Sequence, residues 1–326
     1  MAANVSTDAG RNATRVTSLA RRSNWTERLA EGVVKGVALL SIAAVVLILV
    51  FVLKDALPVL FDPAVREEVT VSSLFAPHAG SGYMWQPVSD DPKYNIVPLL
   101  VGTLKVSAIS LLFAVPLSVL AALFVSELAG KRTREIVKPA IELLSGIPSV
   151  VVGFFALVVL AGWVQRVFGT EHRLNALVAG FALSFAVCPI IFSVSEDALR
   201  AVPDSYRAAA LALGSTRSQM ILRVVVPAAA PGIAASIVLG FGRAVGETMI
   251  VVLASGNAAL LGFSWGTSTR TVTATIAQEL GEVVVGSPHY HVLFFLGALL
   301  FLCTLGVNLT GERIVHGMRK KLGGGP

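Results

Sequence analysis

The sequence predicts an all-α integral membrane protein with six transmembrane helices, and three observations carry that reading. Of the 326 residues, 55% are hydrophobic and only 14% are charged, against about 25% charged in an ordinary soluble domain. Six apolar runs are each long enough to cross a hydrocarbon core of about 30 Å, which takes roughly 20 helical residues. The Lys and Arg residues collect beside alternate ends of those runs. With a mean hydropathy of +0.76, this composition excludes a soluble enzyme, a disordered regulator and a disulfide-built secreted module. The two cysteines, Cys188 and Cys303, lie inside apolar runs and show neither a disulfide framework nor a zinc spacing.

The elements follow in order. Residues 1–32 form a polar tail, with 1–24 rich in Ser, Thr, Asn and Arg. The first span, about 33–53, is of full spanning length and reads as a retained anchor, not a cleavable signal. An outer segment, 54–96, carries Asp55, Asp62, Glu67, Glu68, Asp90 and Asp91 together with Tyr83 and Trp85, and is long enough to fold. Spans two, three and four are expected at about 97–126, 139–165 and 174–195. A connecting segment, 196–227, leads to span five at about 231–254. In the second outer segment, 255–289, the run TVTATIAQELGEVVVG predicts a short helix lying at or dipping into the membrane. Span six, about 290–310, precedes a basic tail, 311–326. The runs are continuous and not alternating, so they call for helices and not barrel strands.

Charge counting orients the chain. One side holds the arginines of the N-terminal tail, Lys131, Arg132, Arg134 and Lys138 after span two, Arg200, Arg207, Arg217 and Arg223 after span four, and the C-terminal bases. That side carries three times as many bases as the other, which predicts cytoplasmic N and C termini. The net charge of +6 sits in these short flanks, so topology accounts for it. Lipid is the expected surface, not nucleic acid.

Ionisable residues inside spans are the informative ones, since each costs about 2.5–3.5 kcal/mol at the bilayer centre. In span five, GFGRAVGETMIVVLASGN, Arg243 and Glu247 are spaced i, i+4 and are expected to share one helix face. They either neutralise each other or line a polar pathway with Thr248. The pathway reading is favoured, because a guanidinium forks onto tetrahedral oxyanions and the nearby glycines admit close approach. In span two, Lys105 and Ser107 are lesser pathway candidates, and Lys105 alternatively snorkels to the interface. Glu142, near the expected start of span three, is placed at a helix N-terminus. His172, His289, His291 and His316 lie at span edges without a metal spacing, so no metal site is expected. No nucleotide-binding GxxxxGK[ST], no GxSxG and no HExxH occurs, so no catalytic residue is assigned, and energy for uphill movement must come from a partner or a gradient.

The segment EDALRAVPDSYRAAALALGSTRSQMILRVVVP, 196–227, predicts a helix over Ser205–Leu213, a stop at Gly214 and a second helix over about 216–225. Its spacing resembles the coupling loop of bacterial ABC importer permeases, with the pattern Glu-Ala-Ala, three residues, Gly, nine residues, Ile-x-Leu-Pro. Here the match is Ala208, Ala209 and Ala210, then Gly214, then Val224, Val226 and Pro227, with Ala208 replacing the acid. IELLSGIPSVVVGFF, RAVGETMIVVLASGN and TATIAQELGEVVVGSPHY further resemble the PstC-type permease subunits of phosphate importers, over roughly residues 30–312.

That resemblance implies a type I (MetI-like) importer permease fold. It implies that Arg243 and Glu247 serve phosphate transport, and that Asp204, Tyr206, Arg207, Ala208, Ala209, Ala210, Gly214 and Pro227 belong to a coupling loop docking on a separate ATPase. The implied partners are a second, PstA-like permease, a dimeric PstB-like ATPase and an extracytoplasmic PstS-like phosphate-binding protein. This chain would bind no cofactor, and ATP with Mg2+ would serve the ATPase. Residue chemistry leaves sulfate, molybdate and phosphonate open as substrates, and an ion-driven anion carrier as a rival class. That rival leaves the coupling-loop spacing unexplained and would more often show internal repeats, of which none is evident.

Overall fold

A computed structural model describes residues 25–321 apart from 79 and 81. The polar tail 1–24 and the last five residues, on which the sequence reading placed terminal segments, lie outside the described residues. Contacts divide the chain into two units, Met1–Phe51 and Val52–Pro326. What is described of the first belongs to one helix, α1 (Trp25–Ala56), which begins ahead of the apolar run. Lys35, the one base within that run, pairs with Glu31 at 2.7 Å.

In the second unit the 54–96 segment folds as short pieces. They are α2 (Pro58–Phe61), α3 (Pro63–Glu68), α4 (Val71–Phe75) and an antiparallel pair, β1 (Trp85–Gln86) with β2 (Lys93–Tyr94). Asp62 starts α3 by accepting from the Ala64 N–H at 3.0 Å. These pieces bury Val59, Leu74, Trp85 and Ile96 together with Leu293 and Leu296 of the last helix.

Among the described residues six helices are long and apolar enough to cross a membrane. After α1 comes α5 (Val97–Leu123), prolonged by a π turn over Phe124–Leu128. It packs against α9 (Ala176–Arg200), the most enclosed of the six. The α9 sequence, ALVAGFALSFAVCPIIFSVSEDALR, is small or apolar nearly all round, as a helix walled in on every side must be. Serine hydroxyls tie it to its neighbours: Ser118 Oγ donates to the Cys188 carbonyl at 3.0 Å, and Ser195 and Ser236 lie 2.8 Å apart. Between them Val106, Ile109, Leu183, Val187 and Ile191 form the central core.

Span three starts later than the sequence suggested. Residues 131–144 form a separate amphipathic helix, α6 (Lys131–Leu144), with Pro139 inside it. Its apolar and charged residues alternate at helical period, so it lies along a surface and does not cross. Ser145, Gly146, Ile147 and Pro148 then break the chain, because proline disfavours helical backbone in the residue before it. The spanning helix is α7 (Ser149–Phe155), a π turn over Ala156–Leu160 and α8 (Ala161–Phe168).

Span five differs more. After α10 (Asp204–Ala212), it rises from α11 (Arg217–Met220) through a π turn over Ile221–Val225 into α12 (Val226–Gly246). The helix of spanning length therefore starts at Arg217, ahead of the apolar run expected from about 231. The π turn closes with the Val226 N–H donating to the Ile221 carbonyl, one residue before Pro227, which has no N–H to give. It also stops at Gly246: Glu247 is extended (φ −72°, ψ 135°), and the rest of the expected span is a short helix, α13 (Met249–Ala254). The second outer segment supplies the expected short helix, α14 (Val272–Glu279), packed on α5 and on α15 (Pro288–Lys321), the sixth span.

Candidate functional site

Arg243 sits in the last turn of α12, held there by tight packing of α12 on α9. A Cβ at Gly240 would lie 2.6 Å from Ile191 Cγ1, so a larger residue there would force Ile191 to shift or the helices apart. Arg243 Nε donates to the Ala186 carbonyl of α9 at 3.3 Å, one turn before Pro189. The expected shared face with Glu247 does not exist. Because α12 ends at Gly246, Glu247 turns away, and among the described residues Arg243 makes no ion pair. Glu247 instead accepts from the Ile250 N–H at 3.5 Å, and its carbonyl accepts from Thr273 Oγ1 at 2.8 Å. It stabilises the break and joins it to α14.

The guanidinium opens into a cavity of about 370 Å³. Its polar wall is Arg243, Ser193, Ser145 and Glu142, and its apolar wall is Ala186, Pro189 and Ile190. Water occupies about 30 Å³ per molecule, so the space holds a hydrated anion. An Arg at span depth is tolerable when it faces such a space. Glu142 was expected at a helix N-terminus and instead lies near the C-terminal end of α6, 4.0 Å from Lys138. Sequence reading missed its place in the wall of the Arg243 cavity, and the signal for it was the SGIP break that ends α6.

None of Glu247, Thr248, Lys105 and Ser107 lines this cavity. Lys105 Nζ donates to the carbonyls of Gly262 and Ser264 at 2.8 and 3.2 Å and to Thr267 Oγ1 at 3.3 Å. It neither snorkels freely nor meets Arg243; it clamps the second outer segment. Ser107 is buried, with its hydroxyl unpartnered among the described residues.

The predicted knob is present at the far end of α9. α10 stops at Gly214, whose φ of +82° suits glycine. Tyr206, Leu211 and Leu213 project from it, Leu213 being 87% exposed, and Asp204, Ala208, Ala209 and Pro227 are exposed too. Two expected surface residues turn inward. Ala210 is buried against the cluster that holds Met220 and Ile221. Arg207 reaches back to the end of span two, where Nη2 and Nε donate to the two Glu127 carboxylate oxygens at 2.7 and 3.2 Å. The same guanidinium donates to the carbonyls of Leu199 at 3.0 Å and of Val202, and Arg217 Nη2 donates to the Glu127 carbonyl at 2.7 Å. The Glu127 hydrogen bond raises the Arg207 pKa further above its already high value. Beside it, Lys138 Nζ pairs at 2.7 Å with the fully buried Glu196, and that hydrogen bond raises the Lys138 pKa against the opposing effect of burial.

Residues 114–320 match the family described as binding-protein-dependent transport system inner membrane component. The chain is 38% identical over 217 residues to the probable ABC transporter permease protein YqgH of Bacillus subtilis (strain 168), covering 66% of this chain and 70% of that one. It is 37% identical over 248 residues to the phosphate transport system permease protein PstC 1 of Mycobacterium tuberculosis (strain ATCC 25618 / H37Rv), covering 68% and 72%. Against the phosphate transport system permease protein PstC of Xylella fastidiosa (strain 9a5c) it is 31% identical over 304 residues, covering 87% and 91%. In fold it is similar to a chain of the bacterial alginate ABC transporter, with a TM-score of 0.57 at 18% identity over 89% of this chain and 96% of that one. A chain of the inward-facing MetNI methionine ABC transporter gives 0.52 at 18% identity, over 68% and 94%.

Proposed function

The chain belongs to the family of binding-protein-dependent transport system inner membrane components, and from that membership we propose that it is one half of the translocation pathway of an ATP-driven importer of inorganic phosphate. The other half would be a second permease of the same kind. A dimeric ATPase using ATP and Mg2+ would dock on the α10 knobs, and an extracytoplasmic binding protein would deliver phosphate. The chain lies in the inner membrane, and the basic flanks support a cytoplasmic side for its termini and the knob.

The observation that carries this reading is an arginine with no ion pair among the described residues, at a helix break inside a span, facing an open cavity. A guanidinium binds a tetrahedral oxyanion through paired N–H donors. With a single cation the hold is transient, as conduction requires. Glu247 serves as the extended residue that ends α12, which takes its own carboxylate off the helix face of Arg243. The relatives named for phosphate transport support phosphate over other oxyanions.

The test is uptake in cells lacking their own high-affinity system, with this chain and its neighbouring subunits expressed intact or carrying Arg243→Gln. Phosphate uptake should require the ATPase subunit, leave sulfate outside and fall at least about tenfold in the variant, the value of one charge-assisted hydrogen bond. Uptake of sulfate and not phosphate would overturn the substrate. Phosphate uptake that survives the substitution would reduce Arg243 to a structural charge.

A further inference from the structure

We propose that Glu142 is a specificity-determining residue of the Arg243 cavity, selecting oxyanions that carry a proton. The inference rests on the reading of Arg243 as the anion-binding group. Glu142 reaches the cavity from α6 while Arg243 reaches it from α12, so one space offers a donor fork and a carboxylate. The carboxylate lies 4.0 Å from Lys138, whose closer partner is Glu196 at 2.7 Å. With about half the Glu142 side chain exposed, its acceptor capacity is largely free.

An ionised carboxylate accepts hydrogen bonds and donates none. At neutral pH inorganic phosphate always keeps at least one P–OH, which can donate to such an acceptor while the remaining oxygens face the guanidinium. Sulfate is fully deprotonated and has nothing to donate, so Glu142 meets it only as a like charge. Ser145 and Ser193, also in the cavity wall, have hydroxyls that donate to either anion and do not discriminate. The preference is thus assigned to Glu142 alone, and it is independent of any selection by a delivery protein.

Phosphate binding to the purified full complex, without delivery protein, can be followed by 31P line broadening, with sulfate as competitor. In the intact complex sulfate should displace phosphate poorly. In Glu142→Gln the preference for phosphate over sulfate should fall at least about tenfold, the discrimination one charge-assisted hydrogen bond supplies, and Glu142→Asp should restore part of it. Glu142 is exposed, so the isosteric variant leaves packing intact. A preference that survives Glu142→Gln while Arg243→Gln abolishes binding overturns this inference alone. Phosphate binding that survives Arg243→Gln overturns the underlying reading and this inference with it.

Discussion

Lys105 and Arg243 are both cations inside apolar runs, and their different fates show how far residue-level reading goes. Each was conspicuous because its burial is unfavourable unless something receives the charge. What receives it is invisible in the sequence: three acceptors around the 262–267 loop for Lys105, and an open cavity for Arg243. Lys105→Met should therefore destabilise the protein by about 1–2 kcal/mol, since it leaves two carbonyls short of a charged donor. Phosphate selectivity should not change. Thermal unfolding of the purified complex, with protease cleavage within 258–268 as a local readout, checks the first, and phosphate uptake with sulfate as competitor checks the second. An unchanged unfolding temperature would return Lys105 to the role of a free interfacial lysine. Arg207 makes the same point, since a base in a loop of exposed appearance is in fact bonded to Glu127.

At the scale of the element, helix existence was legible and helix interruption was not. The Arg243–Glu247 pair was spaced for one face, yet the backbone leaves the helix between them at Gly246. Glycine permits that without requiring it, and the Glu247–Thr273 contact that fixes it comes from a segment distant in sequence. The SGIP break was readable in principle, but the apolar run through it masked the amphipathic α6. The knob, α10 with Gly214, was fully legible because its signals are local. Its anchoring was not, and two substitutions separate the roles. Arg207→Ala strands the Glu127 carboxylate, which is almost wholly enclosed, and should lower stability by about 3 kcal/mol. Leu213→Asp, at an exposed site, should stay within about 0.5 kcal/mol of the parent while reducing the ATPase that copurifies with the chain. Thermal unfolding and copurification together decide this; retained ATPase in Leu213→Asp would remove that face from the docking surface.

At the scale of the molecule, the six spans put the 54–96 segment and the α10 knob in opposite-side flanks, an arrangement open to direct labelling. Val88 is 85% exposed in the outer segment and Leu213 projects from the knob. In a Cys303→Ser background, with Cys188 buried, an impermeant maleimide should label Val88→Cys in intact cells and Leu213→Cys only after permeabilisation. The reverse pattern would invert the topology read from the basic flanks. By itself the sequence determined the membrane class, the six spans, the knob and the three charged positions worth asking about, Lys105, Arg243 and Glu247. Those follow from composition and short-range periodicity, which act on a chain whatever it later touches. Only the tertiary structure decided that Arg243 stands apart from Glu247, that Glu142 joins it across a cavity, and that Arg207 faces inward. These depend on which helices approach closely enough to supply a partner. That approach is set by side-chain size at points such as Gly240 against Ile191, between residues far apart along the chain.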